Sequence, residues 1–138
     1  MRRNVNTLVV DDERSMRDLL KQILEKEGYR VTLAAGGEEA LSMLGEKRFD
    51  IMLSDLRMPR MDGFTLLKKV KQHYPDTAVV VMTGYSETYS VNEAFCMGAD
   101  EYITKPFKVN EVSMMVERAR WHMFSMRNRR QVEKHLSA

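Results

Sequence analysis

The chain has 138 residues, a formal net charge of +2 and a single cysteine, Cys96. That length suits one domain, and the content of 43% hydrophobic and 30% charged residues is typical of a folded globular protein. One cysteine excludes an internal disulfide and a cysteine-rich zinc site, and we expect Cys96 to be a small packed residue. The apolar runs are too short to cross a bilayer, and the first residues do not resemble a secretory signal. We therefore expect a cytoplasmic protein with no membrane partner.

Charge is unevenly distributed along the chain. Residues 109–138 contain six Lys or Arg and three Glu, whereas the remainder contains 16 basic and 17 acidic residues. A near-neutral body thus carries a short basic tail. The overall excess of positive charge is too small to indicate a nucleic-acid partner, and the tail contains no turn that would form a helix-turn-helix. We therefore expect no direct nucleic-acid binding by these residues.

Short apolar runs alternate with amphipathic segments. In chain order they predict a strand at 7–10, a helix at 15–27, a strand at 29–34, a helix at 38–47, a strand at 51–53, a helix at 64–73, a strand at 78–82, a helix at 87–97, a strand at 102–103 and a helix from 110 onward. Gly28 and Gly98 are placed to end helices, and Asp62 to cap one. Five strand–helix pairs predict an α/β fold, a single (βα)5 doubly wound parallel sheet of five strands with helices on both faces.

Polar side chains follow four of the predicted strands. They are Asp11, Asp12, Asp55, Thr83 and Lys105. Ligands of such sheets bind beyond the carboxyl ends of the strands, so we expect these groups to meet. Carboxylates about 4 Å apart repel by about 4 kcal/mol per pair at an effective dielectric of about 20, so the cluster must hold a proton or a hard cation. Oxygen ligands suit Mg²⁺ (or Mn²⁺), and a cation, an ammonium and a hydroxyl around one carboxylate suit phosphoryl transfer to that carboxylate.

Four segments carry a resemblance to a known family. They are residues 9–13 (VVDDE), 50–63 (DIMLSDLRMPRMDG), 80–84 (VVMTG) and 98–107 (GADEYITKPF). In this order and at these strand ends they resemble the receiver domain of two-component response regulators, over about residues 5–120. The resemblance implies a flavodoxin-like strand order of 2-1-3-4-5. It also implies a signalling switch rather than an enzyme in the ordinary sense, phosphorylated by a partner sensor histidine kinase.

The resemblance assigns roles to the acidic residues. Asp55 is similar to the phospho-acceptor aspartate of the family. Asp11 and Asp12 are similar to the acidic pair that binds Mg²⁺, together with Asp55 and the backbone carbonyl of Arg57. In the family the side chains two residues after the acceptor and after the switch hydroxyl flank the path of the hydrolytic water. Arg57 and Tyr85 stand there and are bulky, so we expect slow loss of the phosphoryl group.

The resemblance also assigns the groups that respond to phosphorylation. Lys105 is similar to the lysine that contacts the phosphoryl group, and Thr83 to the hydroxyl that moves toward it. Tyr102 matches the switch aromatic, which turns inward in the active state. The bond between Lys105 and Pro106 matches one that is usually cis in the family. Phosphorylation is then expected to repack the face formed by the fourth helix, the fifth strand and the last helix.

The last helix carries a second pattern. Apolar residues repeat at alternating spacings of four and three, which is typical of a short coiled coil, and packing of this helix on the sheet explains the first half of the pattern. They are Val112, Val116, Ala119, Met123 and Met126. We expect a receiver domain over residues 1–122 and a helical extension or start of a linker over 123–138. The extension resembles the linker of nitrogen-regulation-type activators that use sigma-54, which favours a transcriptional output. A homodimer through the last helix, or through the face described above, is a further expectation.

Three alternatives remain at this point. A haloacid dehalogenase-type phosphatase combines similar groups, but it requires a second Asp two residues after the nucleophile, where Arg57 stands. A flavodoxin-like electron carrier would need a phosphate-binding first loop, and Asp11 and Asp12 would repel phosphate. A receiver-like protein that acts by binding alone would not need the complete set of site residues found here.

Overall fold

The computed structural model describes residues 5–84 and 88–137, of which residues 88–90, 130 and 137 are described by their backbone alone. Five strands and five helices alternate along the chain. They are β1 (Asn6–Val10), α1 (Arg14–Lys26), β2 (Arg30–Ala34), α2 (Gly37–Glu46), β3 (Ile51–Asp55), α3 (Gly63–His73), β4 (Ala78–Gly84), α4 (Thr88–Cys96), β5 (Glu101–Lys105) and α5 (Val109–Ser137).

The strands form one parallel sheet in the order β2-β1-β3-β4-β5. This confirms the predicted fold class and strand order. The residues predicted to end or cap helices have the expected backbone conformation or hydrogen bond. Gly28 and Gly98 have φ of 93° and 105°, a conformation that side chains with a Cβ rarely adopt. Asp62 caps α3 by accepting a hydrogen bond from the Thr65 amide at 2.9 Å.

Successive strand residues face opposite sides of the sheet, so each strand contributes to two cores. One core lies between the sheet and helices α1 and α5, and Val9, Leu53 and Met82 belong to it. The other lies between the sheet and helices α2, α3 and α4, and it contains Leu8 and Met52. Strands buried on both faces explain the continuous apolar runs in the sequence. Within the described residues, no helix has both the length and the apolar character needed to span a membrane.

Helix α5 packs on the sheet along its apolar stripe. Four residues of the coiled-coil-like stripe pack into the first core, and Met126 is half-buried beyond them. The four are Val112, Val116, Ala119 and Met123. The stripe is therefore occupied within the domain, because the same spacing places side chains toward the sheet. Contacts with the domain continue past residue 122, since Arg127 donates from Nη2 to Asp50 Oδ1 at 2.8 Å. Cys96 is exposed, so the expectation that it is packed is wrong.

Candidate functional site

The site is created by the register of four neighbouring strands, β1, β3, β4 and β5. Val10 is paired with Ser54 across β1 and β3, so Asp11 and Asp55 follow at the same level. Asp55 itself is paired with Met82 of β4, and Thr83 comes next. Lys105 at the end of β5 is paired with Gly84. The carboxyl ends of the strands thus converge on one edge, as the fold class requires.

Three carboxylates meet at this edge. Each of Asp11, Asp12 and Asp55 offers an oxygen atom within 4.8 Å of the other two. Their exposure differs, because Asp11 is fully buried, Asp55 is half-buried and Asp12 is exposed. Burial raises the pKa of the Asp11 carboxyl, and the charge of Asp55 raises it further. The hydrogen bond from the Glu13 amide, together with Lys105, lowers it by less, so the pKa stays above its ordinary value.

Lys105 lies between Asp11 and Asp55. Its ammonium is 2.7 Å from Asp55 Oδ2 and 3.3 Å from Asp11 Oδ2. Burial lowers the pKa of Lys105, but the hydrogen bond and charge of Asp55, with the charge of Asp11, more than offset that effect. The pKa of the ammonium is therefore raised and the group is charged at neutral pH. The other oxygens, Asp55 Oδ1 and Asp11 Oδ1, accept from the Arg57 amide at 3.0 Å and the Glu13 amide at 2.9 Å.

The two predicted switch residues line one cavity beside this cluster. The cavity has a volume of about 330 Å³ and is lined by Thr83, Gly84, Val91, Asn92, Phe95, Tyr102 and Thr104. The Thr83 hydroxyl is buried and has no hydrogen-bond partner among the residues that the structure describes. A buried hydroxyl without a partner is costly, so an acceptor arriving nearby would be stabilised by it. Tyr102 is half-buried and its ring meets Phe95 edge-on, with ring centroids 5.8 Å apart.

The remaining predicted residues are placed as follows. The Arg57 side chain is exposed, and its amide donates to Asp55 Oδ1. The Lys105–Pro106 peptide bond is cis, the conformation that the resemblance implies. Tyr85 lies outside the described residues, so its predicted effect on phosphoryl lifetime stays a prediction.

Two residues near the site were missed by the sequence reasoning. A Cβ added at Gly63 would lie 2.3 Å from the Asp55 carbonyl oxygen, so only glycine allows α3 to begin this close to β3. Arg17 donates from Nη1 to the Asp11 carbonyl oxygen at 2.7 Å. Pro59 and Gly63 are typical of a loop in this segment, but they do not indicate the close approach of α3 to β3. No pattern in the sequence indicates the contact of Arg17.

The donor set fits a hard divalent cation. Three carboxylates that share a small volume and include one fully buried acid favour binding of positive charge. The acids supply oxygen ligands alone, as Mg²⁺ and Mn²⁺ require. The ammonium of Lys105 already neutralises part of the charge of the cluster through the Oδ2 atoms of Asp11 and Asp55. The carboxylate of Asp12 and the Oδ1 atoms of Asp11 and Asp55 are then the candidate ligands of a metal ion.

Curated regulatory proteins have similar sequences. NtrC of Salmonella typhimurium, described as a DNA-binding transcriptional regulator, is 40% identical over 125 residues, which is 91% of this chain and 27% of that protein. AtoC of Escherichia coli, described as a regulatory protein, is 38% identical over 112 residues, covering 81% of this chain and 24% of AtoC. The chain therefore spans about a quarter of the length of these curated relatives.

Solved structures show the same fold. The crystal structure of NtrX from Brucella abortus has a TM-score of 0.89 and 30% identity, covering 94% of this chain and 30% of that one. The chemotaxis response regulator CheY4 of Vibrio cholerae has a TM-score of 0.78 and 32% identity, covering 83% of this chain and 98% of that one. The family model described as the response regulator receiver domain matches residues 7–117 of this chain. This chain belongs to the response regulator receiver domain family.

Proposed function

We propose that this chain is a phosphorylation-dependent switch in which Asp55 accepts a phosphoryl group from the phosphohistidine of a sensor histidine kinase. The observation that carries the proposal is the placement of Asp55 beside Asp11, Asp12 and the Lys105 ammonium, 2.7 Å from Asp55 Oδ2. Asp55 is the better acceptor of the two acids that contact Lys105, because Asp11 is fully buried and Asp55 is not. An attacking oxygen must be reachable from outside.

In the proposed reaction a carboxylate oxygen of Asp55 attacks phosphorus, and the bond between phosphorus and the donor nitrogen breaks. The donor imidazole keeps the electron pair of that bond, and the product is an acyl phosphate. Lys105 stabilises the charge on the phosphoryl oxygens and holds the acceptor oxygen in place. Mg²⁺ (or Mn²⁺), when bound, would neutralise charge that develops on the phosphoryl group. Asp11, Asp12, Asp55 and the backbone carbonyl of Arg57 are the proposed ligands.

Phosphorylation then changes the cavity between β4, α4 and β5. The phosphoryl group brings nearly two negative charges and three acceptor oxygens to Asp55. The buried hydroxyl of Thr83, which has no partner within the described part of the chain, gains an acceptor by moving toward the phosphoryl group. That movement opens room for Tyr102, which lines the same cavity. The face formed by α4, β5 and α5 is thereby the proposed output surface, and its equilibrium is biased by the new charge.

The proposed output is control of transcription, through a domain or partner that reads this face. Support comes from relatives described as transcriptional regulators, NtrC and ZraR among them. The receiver domain itself is not proposed to contact nucleic acid. Residues after Arg127 are proposed to lead toward the output part as a helical extension, because Met123 and Arg127 still contact the domain.

A second copy of this chain is a proposed partner of α5. The stripe first considered for pairing is buried, but the opposite side of the helix exposes Met114, Trp121 and Phe124, each more than half accessible. The Trp121 and Phe124 rings contact each other edge-on, with centroids 6.4 Å apart. Equivalent apolar faces can pair about a twofold axis. Sedimentation velocity tests this, because Trp121→Gln should shift a dimer to monomer while the exposed Leu19→Gln should not. A wild-type chain that is monomeric with and without phosphorylation would contradict it.

The proposed acceptor is tested with a small phosphodonor such as acetyl phosphate, with and without Mg²⁺, followed by intact mass. Wild type should gain one phosphoryl group only with the metal, and Asp55→Ala should gain none. Asp62→Ala is the matched control, since Asp62 is an exposed aspartate that caps α3. Labelling of Asp55→Ala to the wild-type extent would show that another residue is the acceptor. The proposed role of Arg57 and Tyr85 in slowing the loss of the phosphoryl group is tested by replacing both with small residues. A shorter lifetime of the phosphorylated protein would support it, and an unchanged lifetime would contradict it.

A further inference from the structure

Arg17 reaches back from α1 to the loop that carries the acidic residues. Its Nη1 donates to the carbonyl oxygen of Asp11 at 2.7 Å, while its amide donates to the carbonyl of Glu13 at 3.1 Å. The guanidinium is half-buried and is a permanent charge, so this hydrogen bond is of the stronger, charge-assisted kind. One side chain therefore closes the turn between β1 and α1.

Every polar atom of Asp11 has a partner, and the partners come from different elements. The Asp11 amide donates to Ala34 of β2 at 3.2 Å, and its two carboxylate oxygens accept from Glu13 and Lys105. The carbonyl is held by Arg17. These contacts fix both the position and the direction of the Asp11 carboxylate.

The loop lacks the usual means of fixing a helix start. Glu13 is the N-cap residue of α1, and its side chain makes no capping hydrogen bond. Asp12 and Glu13 are exposed. The oxygens of Asp11 and Asp12 nevertheless lie within 4.8 Å of an oxygen of Asp55, where like charges repel. Lys105 offsets the repulsion between Asp11 and Asp55, and the contact of Arg17 with the Asp11 carbonyl is a second restraint on the loop.

We propose that Arg17 is a positioning residue for the metal site. By holding the Asp11 carbonyl, it keeps residues 11–13 where Asp11 and Asp12 converge on Asp55. The inference rests on the proposed function, because the acids are taken to bind Mg²⁺. Two effects of Arg17 have opposite signs. Its positive charge alone disfavours a nearby cation, whereas its tether favours binding by preorganising the ligands. The sign of the change in Mg²⁺ affinity separates them.

The test measures the Mg²⁺ dissociation constant of the full chain by isothermal titration calorimetry. Arg17→Met should raise the dissociation constant about 10-fold, as is usual when a group that orients a ligand is lost. Arg17→Lys keeps a donor and the charge and should recover most of the affinity. Lys21→Met is the matched control, because it removes the same charge one helical turn away, and it should leave the dissociation constant unchanged or lower it. Without metal, hydrogen exchange should quicken in Arg17→Met at residues 11–13 and not across the sheet.

The outcomes distinguish this inference from the proposal on which it rests. If wild type binds Mg²⁺ and Arg17→Met binds it equally well or more tightly, the positioning role is overturned while the proposed function stands. If wild type itself binds no Mg²⁺, both are overturned. Should Arg17→Met unfold, Arg17→Lys decides. The positioning role is supported if Arg17→Lys is folded and has the hydrogen exchange of wild type at residues 11–13 and the Mg²⁺ affinity of wild type. It is contradicted if hydrogen exchange in Arg17→Lys is faster across the whole sheet.

Discussion

Replacing Lys105 by Met tests the electrostatics of the site most sharply. The change removes the ammonium that bridges Asp11 and Asp55 and keeps most of the side-chain length. At an effective dielectric of about 20, the ammonium attracts Asp55 by about 6 kcal/mol at 2.7 Å and Asp11 by about 5 kcal/mol at 3.3 Å. Without it, the two acids, with oxygens within 4.8 Å, repel by about 3.5 kcal/mol.

The net loss of stability is smaller than these gross terms. The variant no longer has to desolvate an ammonium, and the acids can take up a proton. Removing one partner of a buried pair costs about 3–5 kcal/mol, and Lys105 remains 22% exposed. We therefore expect Lys105→Met to lower the free energy of unfolding by about 3 kcal/mol at pH 7 in a metal chelator. Lys108→Met, at an exposed position nearby, should lower it by less than about 0.5 kcal/mol.

The variant should also change its response to pH and to metal. The pKa of Asp11 is already raised, and losing the ammonium raises it further. The folded state then binds more protons than the unfolded state, so stability increases as pH falls from 7 toward the ordinary value of 3.8. Mg²⁺ should restore most of the lost stability, and it should raise the free energy of unfolding of the variant more than that of wild type.

Denaturant unfolding at pH 7 and pH 5, with and without Mg²⁺, measures all three effects. The reasoning would be refuted by a Lys105→Met protein that is as stable as wild type in chelator and shows no extra stabilisation by acid or by Mg²⁺. Equal losses in Lys105→Met and Lys108→Met would also refute it, because the effect would then not come from the acidic cluster.

Three further predictions concern the fold that positions the site. Thr7→Val should raise the free energy of unfolding by about 1 kcal/mol, because the Thr7 hydroxyl is buried without a partner and Val has the same shape. Gly63→Ala should lower it by about 3 kcal/mol, because the added Cβ would overlap the backbone of β3. Arg127→Ala should lower it by about 2 kcal/mol, because Asp50 keeps a buried charge and loses its 2.8 Å partner.

Two control variants, Gly36→Ala and Arg129→Ala, make comparable changes at positions where we expect little effect on stability. Gly36→Ala has no atom within 4 Å of the added Cβ and should change stability by less than about 0.5 kcal/mol. Arg129→Ala removes an exposed arginine two residues beyond Arg127 and should have as small an effect. A destabilised Thr7→Val would indicate that the hydroxyl has a partner in solution. Equal stability of Gly63→Ala and Gly36→Ala, or of the two arginine variants, would contradict the corresponding contact.

The fold and the cluster could be predicted because their signals are local. Strands buried on both faces appear as apolar runs, and Asp11 and Asp55 directly follow two of them. The parallel α/β arrangement then brings the strand ends together without further information. The helix ends at Gly28 and Gly98 could also be predicted from the sequence, because few residue types adopt the positive φ that such a helix end requires.

Contacts between distant residues could not be predicted in this way. Asp50 and Arg127 are 77 positions apart, and nothing in either segment indicates the other. The spacing on α5 shows that one side of the helix is apolar, but the same pattern fits a core and a coiled coil, and here the core occupies it. Cys96 was expected to be buried from its residue type, whereas its position on α4 faces solvent.

The central claim is that one aspartyl oxygen receives the phosphoryl group, and reductive trapping tests it most directly. After reaction with acetyl phosphate and Mg²⁺, borohydride reduces an acyl phosphate of aspartate to homoserine, and peptide mass spectrometry locates the converted residue. Our account predicts homoserine at position 55, dependent on both the donor and the metal. Conversion at Asp11 or Asp12 with Asp55 intact, or conversion at none of the three under conditions in which the protein is folded, would contradict it.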